Sequence, residues 1–277
     1  MVIKRIGIVA PAARLDPAVA ERVRLMAAAM ADGPELVIHP QCYLSEGHFA
    51  GPDAARAEAF LDVANDPDID ALWVARGGYG SCRIAEAVLG RLNDAAREKV
   101  YLGYSDAGFL LAGLYAKGCR VAHGPMPMDL NRQGGEGAVA RALSWFAAGD
   151  SGALEASLDA ETPTCAFNMV ILSHLLGTSL EPDLRGHVLM LEEVSEHLYR
   201  IDRTMFHLTA HPALRQVAGI KLGRVNDIIP NDPVFAETEE EIVMRWCRQS
   251  GIAYLGRADI GHDADNKIVP FGLFRRP

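Results

Sequence analysis

Several things are scarce in this sequence, and each shortage closes off a class of function. No apolar run approaches the roughly 20 residues that a membrane-spanning helix needs. No Lys/Arg run or aromatic–basic ladder is present, and acidic side chains outnumber basic ones, 36 to 27, for a net charge of −9. A nucleic-acid partner is therefore not expected, and neither is a membrane partner. The five cysteines (Cys42, Cys82, Cys119, Cys165 and Cys247) are scattered and form no C-x-x-C pair. That pattern argues against a zinc site and for reduced thiols in the cytoplasm. Cys82 reads as a small packing residue at a helix start rather than a nucleophile. The opening MVIKRIGIVAPAARL is too short in its apolar part for a signal peptide and reads as a first strand. No internal repeat or low-complexity tract appears.

Glycine is also missing where a dinucleotide fold would need it. The first βα turn is Val9-Ala10-Pro11-Ala12. The later Gly78-Tyr79-Gly80-Ser81-Cys82-Arg83 places Arg83 where the third fingerprint glycine belongs. A flavin or nicotinamide cofactor is thus disfavoured. What remains is an ordinary globular composition, 49% hydrophobic and 23% charged over 277 residues, enough for one large domain or two ordinary ones.

Apolar runs bounded by turn residues predict strands at Ile6–Val9, Glu35–His39, Ala71–Ala75, Val100–Gly103 and Arg120–His123. Helical stretches at Pro17–Met30, Pro52–Ala64, Cys82–Leu89, Asp106–Lys117 and Ala138–Phe146 separate or follow them. Such alternation means βαβ units and a parallel sheet. Residues Ala147–Thr164 are small, polar and acidic and read as a crossing. Beyond them come a helix over Asn168–Leu176 and strands at His187–Leu191, Val217–Leu222 and Ala253–Gly256. Further helices are expected at Arg200–His207 and Glu239–Gln249, the latter with Thr238 and Glu241 forming a capping box. The tail from Asp259 to Phe274 reads as loops and short β segments. The division expected is a first domain over 1–148, a linker over 149–164 and a second α/β domain over 165–277.

Two of these strands end in sharp turns that hand over to helices: Arg76-Gly77-Gly78-Tyr79-Gly80 and Gly103-Tyr104-Ser105-Asp106. A serine on such a bend presents its hydroxyl to a base, as in a nucleophile elbow. The N–H of Gly77 or Gly78, with that of Asp106, is placed to hold an oxyanion. Ser105 then needs a base and an orienting acid. His262, in the polar loop Asp259-Ile260-Gly261-His262-Asp263, is the leading base, with His39 and His123 as rivals and His187, His197, His207 and His211 behind them. Glu192 and Glu193 directly follow the buried run HVLML and are the candidate acids.

These segments carry a resemblance. WVARGGYGSCRI, LGYSDAGFLLAGLYAKG, AHGPM, GTSLEPDLRGHVLMLEEVSEHLYRIDRTM and DIGHDADNKIVPFG together resemble the LD-carboxypeptidase family of serine peptidases, which includes the murein tetrapeptide carboxypeptidases and the microcin-immunity peptidases. The resemblance implies a Rossmann-like N-terminal domain carrying the nucleophile, a smaller C-terminal α/β domain, and an active site in the cleft between them. It implies Ser105 as nucleophile, Glu192 as acid and His262 as base, with oxyanion donors at Gly78 and Asp106. It further implies a homodimer with no metal and no cofactor, acting on a cytoplasmic muropeptide or peptide. Arg76 and Arg83 flank the glycine turn and are candidates to bind the substrate's terminal carboxylate. One departure stands out: Ala166-Phe167-Asn168 replaces the family's Gly-Gly-Asn. An amidase of the same family acting on an aminoacyl-nucleotide antibiotic, and a two-domain receptor with no serine chemistry, are the alternatives.

Overall fold

A computed structural model describes residues 3–273 of the chain. Its first part runs β1 (Arg5–Val9), α1 (Pro17–Ala28), β2 (Glu35–Ile38), α2 (Asp53–Asn65), β3 (Ala71–Val74), α3 (Ser81–Leu89), α4 (Asp94–Glu98), β4 (Val100–Gly103), α5 (Gly108–Ala116), β5 (Arg120–His123) and α6 (Gly135–Ala148). The second part runs β6 (Thr164–Asn168), α7 (Met169–Leu175), β7 (Val188–Val194), α8 (Leu198–Ala210), β8 (Gly219–Asn226), α9 (Glu239–Ser250), β9 (Tyr254–Arg257) and β10 (Val269–Pro270).

Strands β1 to β5 form a parallel sheet in the order β5-β4-β3-β1-β2, and β6 to β9 form a second parallel sheet in sequence order. The strand order of the first sheet reverses between β1 and β3. In open α/β sheets the functional crevice lies beyond the carboxyl ends of the strands at such a point, and the glycine turn leaves β3 there. β3 (ALWV) is buried on both faces, so it shows an unbroken apolar run instead of an alternation. Helix α5 (GFLLAGLYA) is apolar on almost every side because it packs between α3 and α7. That leaves room for only small groups: a Cβ on Gly108 would lie 2.9 Å from Ile171 Cγ2 of α7. One hydrophobic cluster continues from Phe60 and Tyr101 of the first part to Phe167 and Leu191 of the second.

The structure departs from the sequence expectation in several places. β6 (TCAFN) is a fully buried strand where only a crossing and a helix are expected. The short helix α4, capped by Asn93, is not foreseen. The helix expected from Asp106 begins instead as a 3₁₀ turn over Ser105–Ala107, with α5 following. β8 extends to Asn226. The expected capping box of α9 is present in both directions between Thr238 and Glu241. After β9 the chain returns to the first sheet, where β10 pairs antiparallel with β5, Val269 opposite His123. The expected tail ends at Phe274, which lies outside the described residues.

Candidate active site

Ser105 follows β4 by two residues and has a φ of 59°, in the left-handed region that a side chain disfavours. Strained turns of this kind hold a nucleophile clear of its own strand and helix. The next residue locks the turn in place. The buried carboxylate of Asp106 accepts hydrogen bonds from the N–H groups of Gly80 (3.3 Å) and Ser81 (2.8 Å), at the start of α3. The glycine turn after β3 and the serine turn after β4 are thus tied together. Gly77 lies against the candidate nucleophile: a Cβ there would come 3.0 Å from both Ser105 Oγ and Ser105 Cβ. Gly78 is exposed, has a φ of 111° and faces Ala13.

Gly77 has no left-handed backbone, so alanine there tests space rather than strain. Gly77→Ala is expected to cut kcat about 100-fold by displacing the hydroxyl and any bound oxyanion. Its melting temperature is expected to stay within a few degrees of wild type. Full activity in the variant would remove the glycine turn from the site.

The second part delivers a histidine–carboxylate pair to the same place. Glu192, in β7, is fully buried, and its Oε2 accepts from His262 Nδ1 at 2.5 Å. With Nδ1 donating, Nε2 is left as the basic nitrogen. The other carboxylate oxygen, Oε1, has no hydrogen-bond partner among the described residues. His262 is held by the end of β8: its N–H donates to Asn226 Oδ1 (2.8 Å). Asn226 and Arg224 also grip Asp263, and Arg224 reaches Asp259 as well. From the first sheet, His123 bonds Asn266 Oδ1 (3.1 Å), which also accepts from the Gly261 N–H (3.2 Å). The histidine loop is therefore anchored on both sheets.

Tyr104 joins this pair to the serine turn. Its ring centroid lies 4.8 Å from that of His262 and 5.3 Å from that of His123, and its hydroxyl donates to Asp129 (2.8 Å). His262 therefore packs on the residue next to Ser105. No hydrogen bond joins Ser105 Oγ to His262 among the described residues.

The electrostatics separate the candidates. Burial alone would lower the His262 pKa, but the charge and hydrogen bond of Glu192 outweigh it and leave the pKa raised above the ordinary histidine value. Burial pushes the rival candidate His123 down to about 4, and its Nε2 is engaged with Asn266 Oδ1. His39 is occupied at a turn, its Nδ1 accepting from the Gln41 N–H. Glu193 turns away from Glu192 and accepts from Asn168 Nδ2 (2.6 Å) and from the N–H groups of Val170 and Val194. Burial, followed by the charge of Glu192, pushes its pKa up to about 7. Asn168 thereby has a defined task, holding Glu193 and capping α7. The arginines also divide. Arg83 pairs with Asp53 through Nε and a terminal nitrogen and lies over Phe49. Arg76 is exposed and has no such partner among the described residues.

Models of the LD-carboxypeptidase N-terminal and C-terminal domains match residues 6–124 and 163–275. A carboxypeptidase-named protein of Synechocystis sp. is 31% identical over 85% of this chain and 79% of its own. The chain belongs to the LD-carboxypeptidase family. A murein tetrapeptide carboxypeptidase of Pseudomonas aeruginosa is 27% identical over 81% of this chain and 78% of its own. In fold, the chain matches the microcin C7 self-immunity protein MccF, solved in complex with aspartyl sulfamoyl adenosine, with a TM-score of 0.78 at 19% identity, covering 98% of this chain and 92% of that one.

Within this family fold, four contributors to the site escape a reading of the sequence: Tyr104, the Asp106 carboxylate, Asn226 and Asn266. Only their neighbourhood is a signal, since each lies within four residues of a strand end or of a candidate catalytic residue. No group of three or more His, Cys, Asp or Glu side chains among the described residues converges as a metal site. Among the described residues, no helix is long and apolar enough to cross a membrane.

Proposed function

We propose that the protein is a serine LD-carboxypeptidase that releases the terminal D-alanine from muropeptide tetrapeptides during cytoplasmic peptidoglycan recycling. The observation that carries this reading is the buried Glu192–His262 pair packed on Tyr104, immediately beside the strained Ser105 turn. Ser105 Oγ attacks the carbonyl carbon of the L,D-amide while His262 Nε2 takes its proton. The N–H groups of Gly78 and Asp106 hold the oxyanion that forms. Collapse of the tetrahedral intermediate breaks the C–N bond, and His262 returns the proton to the departing D-alanine amine. Water, deprotonated by His262, then cleaves the acyl-serine. Glu192 holds the imidazole in the required tautomer and stabilises its charged form. Its second oxygen has no hydrogen-bond donor among the described residues. Arg76, which has no acidic partner among the described residues, offers its guanidinium for the substrate's terminal carboxylate, whereas Arg83 is already paired.

The murein tetrapeptide name carried by a relative at 27% identity favours this substrate over an aminoacyl-nucleotide, for which the support is likeness of fold. Incubation of the purified protein with L-Ala-γ-D-Glu-meso-diaminopimelyl-D-Ala and with an aspartyl sulfamoyl nucleoside separates the two. D-Alanine release from the tetrapeptide is the expected result. Cleavage of the nucleoside conjugate alone would transfer the assignment to the immunity-type amidase.

A further inference from the structure

A groove of about 200 Å³ lies between α7 and α8, outside the Ser105–His262 pair. Its polar lining is Arg200, Arg203, Ser173, His174, Thr204 and His207. On a chain with a net charge of −9, this concentration of cationic and hydrogen-bonding groups runs against the overall balance. Of the nearby acids, Glu196 pairs with Arg200 at 2.9 Å and so offsets only that arginine. Asp202 points the other way, accepting from Arg245 (2.7 Å) and Trp246 Nε1 (2.6 Å) of α9. Arg203 has no acidic partner among the described residues, and its guanidinium lies 5.6 Å from the ring centroid of Tyr199. Such stacking holds a guanidinium in place while leaving its N–H edge open. His207 is steadied by Ser173, with Nδ1 2.9 Å from the serine Oγ.

The groove also starts close to the catalytic elements. Val170, one of its lining residues, donates its N–H to Glu193, the neighbour of Glu192. The adjacent Ile171 packs on Gly108, three residues beyond Ser105. We propose that this groove binds an oxyanion, a carboxylate or phosphate, with Arg203 as its principal ligand and Arg200, His174 and Thr204 framing it. The nearest source is a carboxylate on the part of the peptide substrate away from the scissile bond. That assignment of the source, though not the binding itself, rests on the hydrolase reading above.

The test is calorimetric titration of inorganic phosphate into the full chain, wild type and Arg203→Ala, with His174→Gln as a second variant and melting temperatures as the check on folding. Wild type is expected to bind phosphate, and Arg203→Ala to bind it about tenfold or more weakly. No binding by wild type, or equal affinity in a folded Arg203→Ala, overturns the proposal. Turnover then identifies the source. If the occupant is the substrate's own carboxylate, phosphate competes with a carboxylate-bearing peptide, and Arg203→Ala loses the preference for that peptide over its amidated form. If the occupant is free phosphate or a phosphorylated small molecule, phosphate binds the groove without competing. Because binding is read as heat, this result stands apart from whether Ser105 is a nucleophile.

Discussion

Ser105→Ala is expected to lower kcat for D-alanine release by about 10⁴-fold or more while leaving the fold intact. The loss follows from chemistry: without Oγ no acyl-enzyme forms, and only substrate binding and the oxyanion donors remain to assist direct attack by water. The fold should survive because the side chain is not part of the core. Ser105 is only half-buried, and the turn is held by the Asp106 carboxylate on the N–H groups of Gly80 and Ser81. Alanine at a φ of 59° carries much the same backbone cost as serine, so little stability changes. Turnover is measured alongside melting temperature and substrate affinity. A variant that binds the tetrapeptide and melts like wild type but does not release D-alanine fits the nucleophile. Release within tenfold of wild type would mean that another group or an activated water attacks. Unaltered ligand binding in a protein that never turned the substrate over would instead favour the receptor alternative.

The parts of this molecule that are legible in the sequence are those governed by neighbours along the chain. The β1–β5 alternation is visible because each strand is a short apolar run closed by Gly, Pro or a polar turn. Ser105 stands out because a strand, a bend and an apolar helix follow one another directly along the chain. The capping box of α9 is legible for the same reason, since Thr238 and Glu241 are one helical turn apart. β6 is not legible: TCAFN is buried throughout, so it has no alternation, and five residues are too few to distinguish it from the start of a helix. β10 is hidden because Pro270 demotes a strand, and its pairing with β5 joins residues more than 140 apart. The choice between Glu192 and Glu193 cannot be made from spacing either. Adjacent strand residues face opposite sides, and only the register of β7 in its sheet decides which one meets His262.

β10 changes how the histidine loop is understood. With the second sheet alone behind it, His262 would move wherever that sheet moved. The loop is instead fixed at one end by Arg224 and Asn226 of β8 and at the other by β10 and by Asn266 on His123. His262 is thus held relative to Tyr104, and so to Ser105, by contacts from the first sheet as well. The hydrophobic cluster that crosses between the two parts reinforces this arrangement.

Glu192→Gln is expected to lower kcat/KM by about 10³–10⁴-fold and to move the acid limb of its pH profile downward. The sign follows from the forces on His262. In the wild type, burial favours the neutral imidazole, and the Glu192 charge with its hydrogen bond outweighs burial, so the pKa stands above the ordinary 6.5. Attack by Ser105 requires neutral His262, so activity rises with pH through that raised value and the wild-type limb should fall on the alkaline side of 6.5. Glutamine removes the charge and leaves burial in command, so the limb should fall below 6.5. The rate drops nonetheless, because a neutral amide cannot stabilise the imidazolium formed in the transition state. Its NH₂ can also donate to Nδ1, which moves the ring proton to Nε2 and removes the base. Glu193→Gln is the control. It leaves one acceptor oxygen where the carboxylate has two, so the bond from either Asn168 or Val170 is lost, and it is expected to lower the melting temperature more than it moves the limb. If the limb follows Glu193→Gln while Glu192→Gln keeps near-normal activity, the orienting acid is Glu193, and the pairing of Glu192 with His262 is structural.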